Sequence, residues 1–322
     1  MKSAVSEAVI AIPEILARVD EERLREIVFG LAGALPCRTV NHTRPGQTRS
    51  TLDEADDYVE SLLDSWGYRV ERECVPVQAS RCDLSMPKAH QHSPALAGDP
   101  WYAIGSLYAH RTGSVRPDEV ILLTAHKDSQ SWMYPSPGAY DNAAGTAGVL
   151  EIARLLSDQR TDRSIRFLFC NEEHQPWSSV HAAKRTRERG DNLVAIFNLD
   201  GIGGKPQSDI DARRKTNVSV YTTCEGKRLA DLMQWVNKRY RIGLLQSSAQ
   251  RDRPGDDDGS FINAGYPHAI MNTGSHPYDD PNYHRETDVP ELVDIANVRM
   301  AVQAALASVL TIDAGRFSGM GD

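Results

Sequence analysis

The side chains capable of chemistry are not scattered along this chain: His, Asp and Glu fall directly after apolar runs. EVILLTA at 119–125 leads into His126 and Asp128, SIRFLFC at 164–170 into Asn171, Glu172 and Glu173, and LVAIFNL at 193–199 into Asp200. Asp141 opens the turn into a helical stretch, and His284 lies in NYHRETD, after the last apolar run. Continuous apolar runs of this length read as strands buried on both faces. In open α/β sheets, sites form in the crevice outside the carboxyl ends of the strands. These positions can therefore meet at one edge of one sheet.

Imidazole and carboxylate together, with no cysteine among them, suit zinc or a neighbouring first-row divalent ion. Two such ions need a group that bridges them, and Asp141 is the candidate carboxylate. Water held at the ions ionises near neutral pH, so a general base is required. One member of the Glu172–Glu173 pair can face the water while the other faces metal. The chemistry of the set is hydrolysis at a metal. The same residues also have plainer uses. Asp141, followed by Asn142, can cap its helix, Asp200 before Gly201 can sit in a turn, and Asp128 can serve as a local cap.

The elements that must carry these residues are legible around them. Residues 1–30 and 53–66 read as helices, the second amphipathic and closed by Gly67, and 69–77 reads as a strand. Residues 78–100 read as an irregular excursion rich in Ala and Pro. Beyond 101, strands and helices alternate. A helix at 143–158 puts Val149, Ile152, Ala153 and Leu156 on one face, a strand at 217–222 precedes a helix at 226–240, and a strand at 267–273 precedes a helix at 291–311. Alternation of this kind implies a mostly parallel sheet with helices on both faces.

Composition excludes several classes. Of 322 residues, 40% are hydrophobic and 25% charged, enough apolar material for a sizeable core. The net charge of −8 and the lack of a Lys/Arg run argue against a nucleic-acid partner. Five cysteines, at 37, 74, 82, 170 and 224, form no CxxC pair, so neither a disulfide framework nor a thiolate zinc knuckle is expected. Cys170 reads as a buried inert thiol. Glu7, Pro13 and Glu14 interrupt the apolar residues of the N-terminal stretch, so no secretory signal is expected. No apolar run is expected to approach membrane-spanning length. A cytoplasmic chain with no membrane partner follows as an expectation.

HKD, then GAYDNAAGTAGVLEIARLL, RSIRFLFCNEE, FNLDGIG and YHRETD together resemble the co-catalytic zinc aminopeptidase family. That family also holds glutamate carboxypeptidase-like enzymes and glutaminyl cyclases. The resemblance covers roughly residues 25–310, and its specificity lies in five motifs in family order. It implies a phosphorylase/hydrolase-like α/β fold of three layers: a central mixed, mostly parallel sheet flanked by helices. One metallohydrolase domain would span 1–322, with 1–100 packing on a 101–312 core. His126, Glu173 and Asp141 would hold and bridge on one side, or the equivalent split, with Asp200 and His284 completing two zinc sites. Glu172 would be the general base, Asp128 would orient His126, and Tyr283 would stabilise the oxyanion.

The walls depart from the family pattern. A small-residue stretch after the Glu-Glu pair is replaced by His174, Gln175, Pro176 and Trp177, and Asp256, Asp257 and Asp258 stand where relatives have Ser-Asp-His. Asp257 takes the place of the family aspartate. Trp132, Tyr134, His174, Trp177 and Asp257 are the candidate substrate-binding residues, with His276 and Tyr278 as rim candidates. Arg44 and Arg49 can bind a carboxylate or cover the sheet. The expected activity is an aminopeptidase on short peptides, because the bulk at 174–177 crowds the base. Alternatives are a small-molecule amidohydrolase or deacylase on the same metals, a glutaminyl-cyclase-like transferase with one zinc, and a non-catalytic interaction domain. Oligomeric state is left open.

Overall fold

Among the described residues nine strands form one sheet: β1 (Glu71–Ala79), β2 (Tyr102–Arg111), β3 (Arg116–His126), β4 (Arg163–Cys170), β5 (His174–Gln175), β6 (Asn192–Leu199), β7 (Thr216–Tyr221), β8 (Leu245–Gln250) and β9 (Ala269–Thr273). The computed structural model describes residues 11–79, 81–83, 85–87, 92–130 and 136–317. The spatial order is β8-β7-β9-β6-β3-β4-β2-β1-β5. The four central strands β9, β6, β3 and β4 run parallel. On either side β2 and β7 pair antiparallel with them, and β1 antiparallel with β2. The sheet is thus mixed, with a parallel centre.

The parallel centre explains the continuous apolar runs. Ile121, Leu123 and Ala125 of β3 join Ile165, Phe167 and Phe169 of β4 in the larger core cluster. Val120, Leu122, Leu168 and Cys170 point to the other face, with Ala182, Ala183 and Phe261. Side chains alternate between faces along a strand, so a strand covered on both sides shows no polar alternation.

Among the described residues there are nine α-helices, most of them packed on the two faces: α1 (Ile12–Ala17), α2 (Glu21–Val28), α3 (Thr51–Ser65), α4 (Ala144–Leu156), α5 (Ser178–Arg189), α6 (Gln207–Asp211), α7 (Cys224–Arg239), α8 (Asp256–Asn263) and α9 (Ile295–Asp313). α3 starts earlier than the pattern at 53 suggests because Ser50 and Asp53 close a reciprocal capping box. The N-terminal helical stretch is split in two, with Asp20 accepting from the amides of Glu22 and Arg23 to start α2. α9 is long and apolar enough to cross a membrane, contrary to the expectation from the sequence. Its most apolar window is 72% buried, and it packs on α2, α4 and α7. The described part of 78–100 contains a short antiparallel pair, Arg81–Cys82 with His92–Ser93.

The segment after β3 is fixed from below. Lys127, fully buried, lies 3.0 Å from Asp56 of α3 and donates to Gly105 O and Asn171 Oδ1. A buried ammonium is tolerated only with such partners. The contact ties α3, β2 and the ends of β3 and β4 together beneath the sheet edge where the acidic residues gather.

Candidate metal centre

His126 is the last residue of β3, Asp200 follows β6, Glu172 and Glu173 follow β4, Asp141 lies in the turn entering α4, and His284 in the loop after β9. The structure brings all of them together. His126 Nε2 is 3.1 Å from Asp141 Oδ1 and 3.3 Å from Asp200 Oδ1. His284 Nε2 is 3.1 Å from Asp141 Oδ2 and 2.9 Å from Glu173 Oε1. Two donor groups result, His126–Asp141–Asp200 and Asp141–Glu173–His284, each with its donor atoms within 4.8 Å of one another. Asp141 belongs to both. The split named first from the sequence, His126 with Glu173, is not the arrangement seen: His126 pairs with Asp200, and Glu173 with His284.

The five side chains are buried. Burial pushes the Asp200 carboxyl up to about 7, against the pull of His126. Three carboxylates in a dry pocket are costly unless a cation sits among them, and a bound divalent ion reverses such shifts. A donor set of imidazole nitrogen and carboxylate oxygen fits zinc.

The groups behind the donors hold them in place. Asp128 accepts from His126 Nδ1 at 3.1 Å, leaving Nε2 to face Asp141 and Asp200. The same carboxylate accepts from the amides of Glu172 and Glu173, at 3.0 and 2.9 Å, and from His174 Nδ1 at 2.5 Å. Burial alone would raise Asp128, but the hydrogen bonds from the two histidines hold it well below the usual carboxylate range. Asp288 accepts from the amides of Tyr140 and Asp141. Asn142 donates to Leu199 O and accepts from the amides of Gly145 and Gly201, joining the Asp141 turn to the Asp200 strand end. Gly145 has no room for a side chain there: a Cβ would stand 2.1 Å from Leu199 O.

Glu172 stands beside the donors. Its carboxylate forms a third acidic group with Asp200 and Asp256. It is half-buried, and among the described residues its Oε2 has no hydrogen-bond partner. Burial first, then the negative neighbours Asp256, Asp257 and Asp200, push its acid form well above the ordinary range.

The sequence model of peptidase family M28 matches residues 107–309, a stretch that contains every one of these donors. The chain belongs to peptidase family M28. It is similar to a probable zinc metalloprotease of Pyricularia oryzae, 25% identical over 313 residues, covering 87% of this chain and 59% of that protein. It spans between 34% and 59% of the length of the first curated relatives it matches. Among solved structures, an aminopeptidase from Aneurinibacillus sp. strain AM-1 superposes with a TM-score of 0.68 at 17% identity, over 94% of this chain and 96% of that one. A glutaminyl cyclase from Bacteroides thetaiotaomicron gives 0.67 at 16%, over 90% and 97%. These likenesses establish a shared fold.

Within the M28 fold, the walls of this centre differ from the sequence expectation in two places. His174 is not an open wall: it is fully buried, with Nδ1 on Asp128 and Nε2 3.1 Å from Thr39 Oγ1. Asp257 is not the acid that faces the centre either. It is fully buried and accepts from Cys170 Sγ at 2.8 Å, whereas Asp256, at the start of α8 with φ +55°, turns towards Glu172 and Asp200. Arg251 pairs with Asp256 and Asp258. Trp177 caps α5 half-buried, while Trp132 and Tyr134 lie outside the described residues. Tyr283 stacks on His284 at 3.9 Å and on Tyr278 at 4.7 Å between ring centroids. The Tyr278 hydroxyl reaches 3.5 Å from Asp200 Oδ2. Arg44 and Arg49 pair with Glu54 and Asp57 of α3, so both serve the surface.

Proposed function

We propose that this M28 chain is a zinc-dependent hydrolase that removes N-terminal residues from short peptides, with two ions sharing Asp141. The observation that carries the reading is the pair of donor groups with Asp141 common to both. When bound, zinc polarises the scissile carbonyl and activates water near neutral pH. His126 and Asp200 would hold one ion, Glu173 and His284 the other.

The chain's own residues supply the rest. Glu172 takes the proton of the attacking water and returns it to the leaving amine, the role of a general base. Its backbone is anchored through the amide bonded to Asp128, so the carboxylate is aimed from a fixed point. Tyr283, stacked on His284, supplies a hydroxyl to the developing oxyanion. Asp256, turned towards Glu172 and Asp200 and paired with Arg251 on its other side, is the acid placed to meet a free α-ammonium of the substrate. Cys74, Cys170 and Cys224 carry free thiols, which suit a reducing compartment, and the cytoplasm is the location proposed.

The test compares leucinamide, N-acetyl-leucinamide and a glutaminyl peptide on zinc-loaded enzyme. Release of ammonia or amine from the free-amine substrate at least about tenfold faster than from the acetylated one is expected. Preference for the acetylated compound would make the protein a deacylase, and ammonia loss from the glutaminyl peptide without chain shortening a cyclase.

A further inference from the structure

Arg38 is among the largest side chains buried completely among the described residues. Its guanidinium donates to three carbonyls: Nε to Lys127 O, Nη1 to Pro137 O and Nη2 to Gly138 O, each at 2.7 Å. Lys127 is the residue after His126, and Gly138 lies three before Asp141. The backbone of Arg38 makes a second clasp, its amide donating to Ser129 Oγ and its carbonyl accepting from the Ser129 amide. Both ends of the long loop between His126 and Asp141 are therefore held by one planar cation.

The far side of the Asp141 turn is gripped as well. Asp288 accepts the amides of Tyr140 and Asp141, so the turn has its carbonyls on Arg38 and its amides on Asp288. Gly138 makes the approach possible: its φ is +61°, and a Cβ there would stand 2.4 Å from Ser129 Cβ and 3.0 Å from Arg38 Nη2. Five fixed donors in one plane suit this task, and a lysine, a single point charge, cannot span three carbonyls.

We infer that Arg38 is a positioning residue that sets the separation of His126 and Asp141, and through it the geometry of the metal pair. This rests on the two-ion reading above. Groups one step behind metal ligands typically change affinity by about 10–100-fold when altered.

The test uses Arg38→Lys, with Arg163→Lys as comparator. Arg163 is another buried arginine clamp, bonded to Glu119 and to the carbonyls of Ile312 and Asp313, but it starts β4, at the end of the sheet away from the donors. Zinc affinity is read by chelator competition, and site geometry by the visible spectrum of the cobalt-substituted protein. Arg38→Lys is expected to weaken zinc binding about tenfold and shift the cobalt bands, with Arg163→Lys lowering thermal stability and changing neither. Wild-type affinity and spectrum in Arg38→Lys, or an equal loss in Arg163→Lys, would overturn the inference. If Arg38→Lys does not fold, Ser129→Ala, which removes the acceptor of the Arg38 amide and keeps the Ser129 amide on the Arg38 carbonyl, decides: a weaker site supports the role and an unchanged one refutes it. Failure of wild-type protein to bind zinc would instead refute the two-ion reading.

Discussion

Asp141 presents its two carboxylate oxygens to two different imidazoles, Oδ1 at 3.1 Å from His126 Nε2 and Oδ2 at 3.1 Å from His284 Nε2. His126 ends a central strand and His284 belongs to a loop more than 150 residues later. One carboxylate therefore joins two donor sets that arrive from opposite ends of the catalytic region. Removing it should affect both sets, whereas removing either histidine should affect one.

Glu172 and Glu173 are neighbours in sequence but face different partners, Glu173 towards His284 and Glu172 towards Asp200 and Asp256. Glu172→Gln is expected to keep the metal content of wild type while lowering turnover by about 10² to 10⁴, the range of a general acid/base group. Elemental analysis and initial rates on the same sample check it. Loss of metal from this variant would exchange the roles of the pair.

Asp128 accepts four hydrogen bonds and is fully buried. In Asp128→Asn, an amide NH₂ replaces one acceptor and faces donors. The expected result is zinc affinity lowered about 10–100-fold, together with a lower melting temperature. Isothermal titration of zinc-free protein measures the first, and unchanged affinity would remove Asp128 from the metal-holding machinery.

Asp256, not Asp257, turns towards the centre. Asp256→Ser is expected to raise KM for free-amine peptides about tenfold, the loss of one charge-assisted hydrogen bond, with little change in kcat. Asp257→Ala, which opens a void beside Cys170, should act on stability instead. Steady-state kinetics across a series of dipeptides separates them. Equal KM values in Asp256→Ser and wild type would mean that Asp256 does not read the amine.

Trp177 stands at the N-cap of α5, three residues beyond the buried His174. With His174 withdrawn behind Asp128, Trp177 and Pro176 carry the bulk near the base. Trp177→Gly should broaden acceptance towards longer peptides more than it alters the rate on dipeptides. Comparison of kcat/KM for dipeptides and decapeptides checks this, and identical chain-length profiles in the two proteins would show that the loop does not select substrate length.

The donors were legible because parallel strands bury both faces and then end abruptly: EVILLTA, SIRFLFC and LVAIFNL each stop at a polar residue that has nowhere to go but the crevice. Other features left weaker traces. β2 mixes Ser106, His110 and Arg111 with its apolar residues, so its inner positions Ile104, Leu107 and Ala109 are diluted. β8 is a half-exposed edge strand, LQSSAQ, with no apolar pattern to find. α5 hides because its buried face is small: Ser178, Ser179, Ala182, Ala183 and Thr186. Arg38 was invisible in an Arg-rich loop, where buried and solvated arginines look alike. Asp256 and Asp257 were exchanged because neighbours in sequence at a helix start point in different directions, and only the positive φ of Asp256 decides which one faces the centre.

The central claim is that Asp141 is shared by two ions. Titration of zinc-free protein with zinc, read by elemental analysis of the dialysed complex, tests it directly on wild type and Asp141→Ala. The account predicts two ions per chain in wild type and neither retained at the same free zinc in Asp141→Ala, because both donor sets lose a member. One ion or none in wild type, or an Asp141→Ala variant that still holds two, would contradict it.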